Sequence, residues 1–326
     1  MSKQPSIWVL ADPRPGTANQ AIGVAETLSR PFTIKTLKYN ILSSIPNPIL
    51  DMFTNLIGDY KCLKNSDDFS PPWPDMIISS GRRAFFIASR IKRRYRPDCK
   101  IVQIMNPHWR CDDCDVLAIP YHDQLAATAP NIVRTMGNPH RLTDLRLQSG
   151  AQKFAPLWQN LTGHKIAVLL GGPLRHGGLT ANAAIALLRA ADECARATRS
   201  SLLISTSRRT PRAAISQIAD IITSPYYLYD WAFGGENPYD GILACADAVI
   251  VSGDSTSMMT ESCFTQKPVY IFTPPNFAPG KYKKLADGLI THGYARPFTA
   301  NIDFNAPSRR LNPNAAIAEK IMGLIS

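Results

Sequence analysis

Residues 246–263, ADAVIVSGDSTSMMTESC, set three helix-capping residue types in a row with a lone carboxylate behind them. A run of β-branched and small apolar residues, 248–251, ends in Ser252-Gly253 and reads as a strand that turns at once into a helix. One cap suffices for a helix, so Asp254, Ser255 and Thr256 together suggest that the helix start holds something besides itself. Unpaired backbone N–H groups, hydroxyls and the helix dipole make such a start an anion site, most naturally for phosphate, with Ser257 and Met258 in the first turn. Glu261 follows one to two turns in, where a carboxylate would accept both hydroxyls of a ribose. The plainer alternative is an ordinary capped helix with a solvated glutamate.

Two further strand ends point the same way. LLGGPLRHGGLT closes an apolar run with Gly171-Gly172-Pro173 and then adds Arg175 and His176. Paired glycines admit a close backbone approach to a ligand, although the Gly-Lys-Ser/Thr core of a Walker loop is missing. ISTSRRTP ends the next run with Ser207, Arg208 and Arg209, whose guanidinium forks suit a diphosphate better than lysines do.

These ends belong to a repeated grammar of apolar strand, glycine or proline turn, and amphipathic helix. The first half contains SIWVLADPRPG with a helix over residues 17–28, then FTIKTLKY, PDMIISSGRRA with its helix, CKIVQIMNP, DVLAIP and NIVRTMG. The second half contains KIAVLLGGP, SLLISTSRRTP, YYLYDW, DAVIVSGDS and PVYIFTPP, each but the last followed by a helical stretch. Near-continuous apolar strands alternating with helices imply parallel sheets covered on both faces, hence two doubly wound α/β domains with ligands at the carboxyl ends of the strands. The boundary is expected near residues 150–162, giving domains 1–155 and 156–326, with a last helix over 314–326 that packs back on the first domain.

The chain has 326 residues, 45% of them hydrophobic, enough for two such domains. No run approaches the ~18 apolar residues of a membrane span, and the apolar stretch near the start is too short for a signal peptide, so the expected compartment is the cytoplasm. Seven irregularly spaced cysteines agree with a reducing environment. His108, Cys111 and Cys114, with Cys99 upstream, have zinc-like spacing, but no second Cys-x2-Cys pair follows, and two loop thiols are the simpler reading.

The net charge is +11, and residues 82–100 carry eight basic residues against one acid, Asp98. Such a surface attracts polyanions or anionic lipid, unless it is merely a solvated helix face. Residues 40–58 carry an apolar stripe at Ile45, Ile49, Met52, Phe53 and Leu56, which is core packing in most helices. Beside the basic stretch it would instead dip into a bilayer interface.

The order GGP…H, TSRRTP, NPYDGILACADAVIVSGDSTSMMTESC, KPVYIF resembles the elongated-mitochondria (mitochondrial fission Elm-type) family, whose bacterial members are regarded as glycosyltransferases. RPGTANQAIGVAETL, SSGRRAFFIA, IPYHDQL and TMGNPHRLT follow the family order in the first half. The resemblance implies a GT-B architecture, with two doubly wound, Rossmann-like domains facing across a cleft, nucleotide sugar on the second and acceptor on the first. It implies that Glu261 holds the ribose, that Ser255, Thr256 and Ser257 hold the diphosphate, and that Arg208 or Arg209 neutralises the leaving group. Asn237 and Tyr239 would close on the donor. On the acceptor side it brings forward Thr17, Asn19, Gln20, Arg82 and Arg83. No metal and no cofactor is expected, because cations and a helix dipole stabilise the leaving diphosphate and no Asp-x-Asp motif is present.

The chain departs from the family pattern where relatives carry His and it has Thr17, and where they carry Asp-Pro-Arg and it has Asn106-Pro107-His108. Thr17 cannot take a proton near neutral pH, which leaves His122, Asp123 and Asp12 as candidates for a general base. The sequence thus favours a transferase that moves sugar from a nucleotide diphosphate to a lipid-linked or polysaccharide acceptor of the cell envelope, such as lipopolysaccharide. It would work on the inner face of the cytoplasmic membrane, held through residues 82–100. An epimerase of the same fold would need extra acids near the sugar, where Asp230, Glu236 and Asp240 stand; a non-catalytic membrane-associated adaptor of the mitochondrial-fission type would not need the donor residues together. No nucleic-acid-binding module is recognisable.

Overall fold

Fully buried apolar runs form the strands, and the polar residues just beyond them form the loops that matter here. The computed structural model describes residues 4–57, 62–64, 66–123, 129–275, 277 and 280–325. The chain begins with β1 (Ile7–Ala11), α1 (Pro15–Thr27), β2 (Thr33–Thr36), α2 (Asn47–Ile57), β3 (Met76–Ser80), α3 (Arg82–Arg94), β4 (Lys100–Ile104), β5 (Val116–Pro120) and β6 (Ile132–Thr135). It continues with α4 (Asp144–Phe154), β7 (Lys165–Leu170), α5 (Ala181–Thr198), β8 (Ser201–Thr206), α6 (Arg212–Ile215), α7 (Ile218–Ile221), β9 (Tyr226–Tyr229) and α8 (Tyr239–Cys245). β10 (Ala248–Ser252), α9 (Thr256–Phe264), β11 (Val269–Phe272), α10 (Lys281–Thr291), β12 (Arg296–Pro297) and α11 (Pro313–Ile325) complete it.

Two units result. Residues 1–141 with 312–326 form the first, and residues 142–311 the second. Among the described residues each unit holds a six-stranded parallel sheet, in the orders β2-β1-β3-β4-β5-β6 and β12-β11-β10-β7-β8-β9. Every residue of β1, β3, β5, β8 and β10 is buried, as doubly covered parallel strands require. Strand order reverses between β1 and β3 in the first sheet and between β7 and β10 in the second. Crevices for ligands open outside the carboxyl ends of such neighbouring strands.

The division falls at Arg141 rather than at residue 155. Residues 144–154, assigned from sequence to the end of the first domain, are the helix α4, capped by Thr143 and packed on α8 within the second unit. Gly150 and Gly241 let the two backbones touch: a Cβ on Gly241 would lie 2.7 Å from the Gly150 carbonyl oxygen. β11 is also followed by a helix, α10, which the sequence reading omitted.

α11 belongs to the first unit. Ile317 and Ile321, both 0% exposed, complete the apolar cluster of Val9, Met76, Ile78 and Val102 beneath α1. Asn314 ties the helix down: its Oδ1 accepts the His140 N–H at 3.1 Å and its Nδ2 donates to the His140 carbonyl at 2.8 Å.

Candidate functional site

At the carboxyl ends of β7 and β10 the second unit gathers most of the donor residues read from sequence. Ser255 is the cap of α9, its Oγ accepting the Met258 N–H at 3.4 Å. Thr256, Ser257 and Met258 form the half-buried first turn, which carries no acidic residue. This leaves the start of α9 electropositive.

Asp254 accounts for the surplus of capping residues, and it corrects its reading as a ligand contact. It is 0% exposed and faces the neighbouring loop. Its Oδ2 accepts the Gly172 N–H at 2.7 Å and Arg209 Nη2 at 3.2 Å. Burial holds the carboxyl above its usual range, against the pull of the Gly172 N–H, Ser252 and Arg209.

The paired glycines are likewise explained by protein rather than ligand. A Cβ on Gly171 would lie 2.2 Å from Asp254 Oδ2, and one on Gly172 would lie 2.2 Å from the Arg209 carbonyl oxygen. The Gly171 N–H is given to Ser252 Oγ at 2.8 Å, so neither glycine N–H is left for a phosphate. Ser207 donates to the Gly171 carbonyl at 2.8 Å, and Thr210 to the same atom at 2.7 Å. Arg209 donates to the carbonyls of Gly172 and Pro173 at 3.2 and 3.1 Å. Asp254, Ser207 and Arg209 therefore fasten three strand ends together, and both Arg208 and Arg209 are exposed. His176, with Arg175, lies exposed at the tip of the loop that follows Gly172.

Glu261, on the second turn of α9, is half-buried and accepts the Tyr239 hydroxyl at 2.9 Å. Burial pushes its carboxyl up to about 7, with Tyr239 and Arg146 pulling down and Asp240 pushing up. Arg146 of α4 pairs with Asp240 of α8 at 3.2 Å, an arrangement invisible in sequence because 94 residues separate the partners. Asn237 is exposed just before α8, its Oδ1 accepting the Tyr239 N–H at 3.1 Å.

The loop between β9 and α8 is thus fastened to the end of β8, where Thr206 Oγ1 accepts the Trp231 N–H at 2.8 Å, and ends with Tyr239 on Glu261. Along it Trp231 is 45% and Phe233 83% exposed, and neither was singled out from sequence. Their signal was available: aromatic residues beside the left-handed Gly234 and Gly235 have no core to join.

In the first unit the candidate bases do not converge. Asp12 ends β1, is 4% exposed, and is occupied: Arg14 donates to it from N, Nε and Nη2 at 3.0, 2.7 and 3.1 Å, and Tyr39 from its hydroxyl at 3.2 Å. His122 is 4% exposed and Asp123 half-buried, both beyond β5. One strand, β4, separates β5 from β3 at the crevice, two strand spacings or roughly 10 Å. Gln20 is buried with Nε2 on the Gly16 carbonyl at 3.2 Å, while Asn19 is exposed and Thr17 half-buried.

The basic stretch 82–100 is also corrected. Arg90 is 5% exposed and pairs with Asp51 at 3.0 Å, Arg93 joins the same carboxylate at 3.3 Å, and Lys92 and Lys100 share Asp115 at 2.6 and 3.1 Å. Arg96 pairs with Asp75. Of the apolar stripe, Ile49 and Met52 are exposed, 45% and 64%, with Ile41 nearby at 85%; the side chains of Phe53 and Leu56 lie outside the described residues.

Burial raises the thiols of Cys99 and Cys114, to about 12 for Cys99. No group of three or more His, Cys, Asp or Glu able to share a metal ion occurs among the described residues. No helix among them is long and apolar enough to cross a membrane.

The family described as mitochondrial fission ELM1 matches residues 15–325. An uncharacterised protein of Rickettsia prowazekii is 30% identical over 327 residues, spanning 91% of each chain. Mitochondrial fission protein ELM1 of Arabidopsis thaliana is 26% identical over 301 residues, 83% of this chain and 69% of that one. Among solved structures, UDP-GlcNAc 2-epimerase from Neisseria meningitidis bound to UDP-GlcNAc matches with TM-score 0.51 at 13% identity, over 98% of this chain and 91% of its own. Arabidopsis thaliana UGT89C1 complexed with UDP-L-rhamnose matches with TM-score 0.52 at 12% identity, over 100% and 96%. At such identities the likeness is one of fold, the GT-B type with two parallel six-stranded sheets.

Proposed function

The chain belongs to the mitochondrial fission ELM1 family, and from that premise and the geometry of its second unit we propose that it is a glycosyltransferase using a nucleotide-diphosphate sugar. The observation that carries this reading is Glu261. A half-buried carboxyl raised to about 7 stands on the second turn behind an electropositive helix start, at the switch point of a parallel sheet. Such a group is unfavourable until hydroxyl donors reach it, which the 2′- and 3′-hydroxyls of a ribose would do.

In this reading the diphosphate lies on the first turn of α9, Ser255 to Ser257, with Arg208 meeting the charge of the leaving group. Trp231 offers a face to the base. No metal is called on, because the helix start and Arg208 meet the developing charge. The acceptor is a lipid-linked or polysaccharide glycan of the cell envelope, on the first unit, at the inner face of the cytoplasmic membrane. With most charges of residues 82–100 already paired, the exposed Ile41, Ile49 and Met52 are the better membrane contact. The epimerase reading is disfavoured by its own acids: Asp230 pairs with Arg212, Glu236 with Lys153, and Asp240 with Arg146.

Calorimetric titration of the full chain with UDP, GDP, ADP and CDP in EDTA tests the donor site. One of the four is expected to bind, and Glu261→Ala to weaken it about tenfold to a hundredfold, the range of a charge-assisted hydrogen bond. Equal affinity in parent and variant, or no nucleotide bound at all, would overturn the reading, the latter in favour of a non-catalytic adaptor.

A further inference from the structure

The first unit has its own switch point, between β1 and β3, and two helices begin there without ordinary caps. α1 has Arg14 at its cap position and α3 has Gly81; neither is capped by a side chain, and neither has an acid in its first turn. α3 opens instead on Arg82 and Arg83, both half-buried, setting cations against the positive end of its own dipole. The two helix starts meet: a Cβ on Gly81 would lie 3.5 Å from Arg14 Nη2 and 3.2 Å from Thr17 Cγ2. Asp12 is already filled by Arg14 and Tyr39. Arg83 lies over the Tyr39 ring at 5.3 Å, and among the described residues neither it nor Arg82 has an acidic partner.

A second observation is independent of the helices. Ser80, the last residue of β3, is 1% exposed and its hydroxyl has no partner among the described residues. Strand alternation puts it on the face of Met76 and Ile78, beneath α1. From α1, Gln20 buries an Oε1 that is equally without a partner. Buried polar atoms left unpaired are uncommon, and at the mouth of a ligand crevice a water or a bound group completes the bonding.

We infer that this crevice binds a phosphate or diphosphate group. Arg14, Arg82 and Arg83 supply charge, the first-turn N–H groups of α3 supply directed donors, and Ser80 supplies a buried hydroxyl. Assigning the group to the acceptor, which is then a phosphorylated molecule, rests on the transferase reading; the site itself does not.

The test titrates inorganic pyrophosphate and geranyl diphosphate into the full chain, parent and Arg82→Ala/Arg83→Ala, with and without saturating nucleoside diphosphate. The parent is expected to bind pyrophosphate with the donor site occupied, and the double variant to bind it at least tenfold more weakly. The variant should also melt at the same temperature or higher, since the cations it loses oppose the helix dipole; a merely structural role would lower it. Tighter binding of geranyl diphosphate than of pyrophosphate marks a lipid-linked ligand, and equal binding a soluble one. A parent that binds pyrophosphate no better than the variant overturns the site. If no nucleoside diphosphate binds, the donor reading fails while the pyrophosphate comparison still decides this one.

Discussion

Arg90→Glu is expected to destabilise the first unit by about 3–5 kcal/mol, the usual loss when one partner of a buried ion pair is removed and the other charge stays. Arg90 is 5% exposed, and Asp51, which it neutralises, also receives Arg93 and Arg110. Glutamate there would set two carboxylates together between α2 and α3. Urea unfolding followed by tryptophan fluorescence measures the change, and a loss below about 1 kcal/mol would show that the pair is not buried as described.

Glu261→Gln is expected to stabilise the chain, increasingly as pH rises above about 4.5. The folded carboxyl titrates near 7, so the folded state holds a proton that the unfolded chain has lost, and stability falls as pH rises from about 4.5 to 7. A shift of that size corresponds to roughly 3 kcal/mol at pH 8 and to nothing at pH 4.5. Glutamine keeps an acceptor for the Tyr239 hydroxyl without the charge. Melting curves of parent and variant should therefore converge at acid pH and separate at alkaline pH; parallel curves would contradict the raised carboxyl. The same linkage predicts that nucleotide binding releases protons near pH 6.5, read as an enthalpy that depends on the buffer.

The strands and both sheets could be read from sequence because parallel strands buried on two faces are continuous apolar words such as IWVLA, MIISS and AVIVS. α4 could not: DLRLQSGAQKF has a single fully buried residue, Gly150, so no buried apolar stripe ties it to the second unit. The basic stretch misled for a different reason. Its acids, Asp51, Asp75 and Asp115, lie outside it in sequence and meet it only in the folded chain. At the donor site the residue types were legible but not their duties. Nothing in Asp254-Ser255-Thr256 says that the serine caps the helix while the aspartate turns back to Gly172 and Arg209. Arg14 and Tyr39 escaped notice because their meeting point, Asp12, brings together the ends of β1 and the segment after β2.

The return of α11 to the first unit sets a timetable for biosynthesis. Ile317 and Ile321 complete a core whose other members leave the ribosome before residue 120, and the whole second unit is made in between. At ordinary translation rates that interval is roughly ten to forty seconds. Throughout it the sheet face of Val9, Ile78 and Val102 lacks part of its cover, while the second unit, one continuous stretch, can fold as it emerges. The half that is begun first is finished last, and a nascent chain stalled before residue 312 would offer chaperones the side of the first sheet that α11 covers.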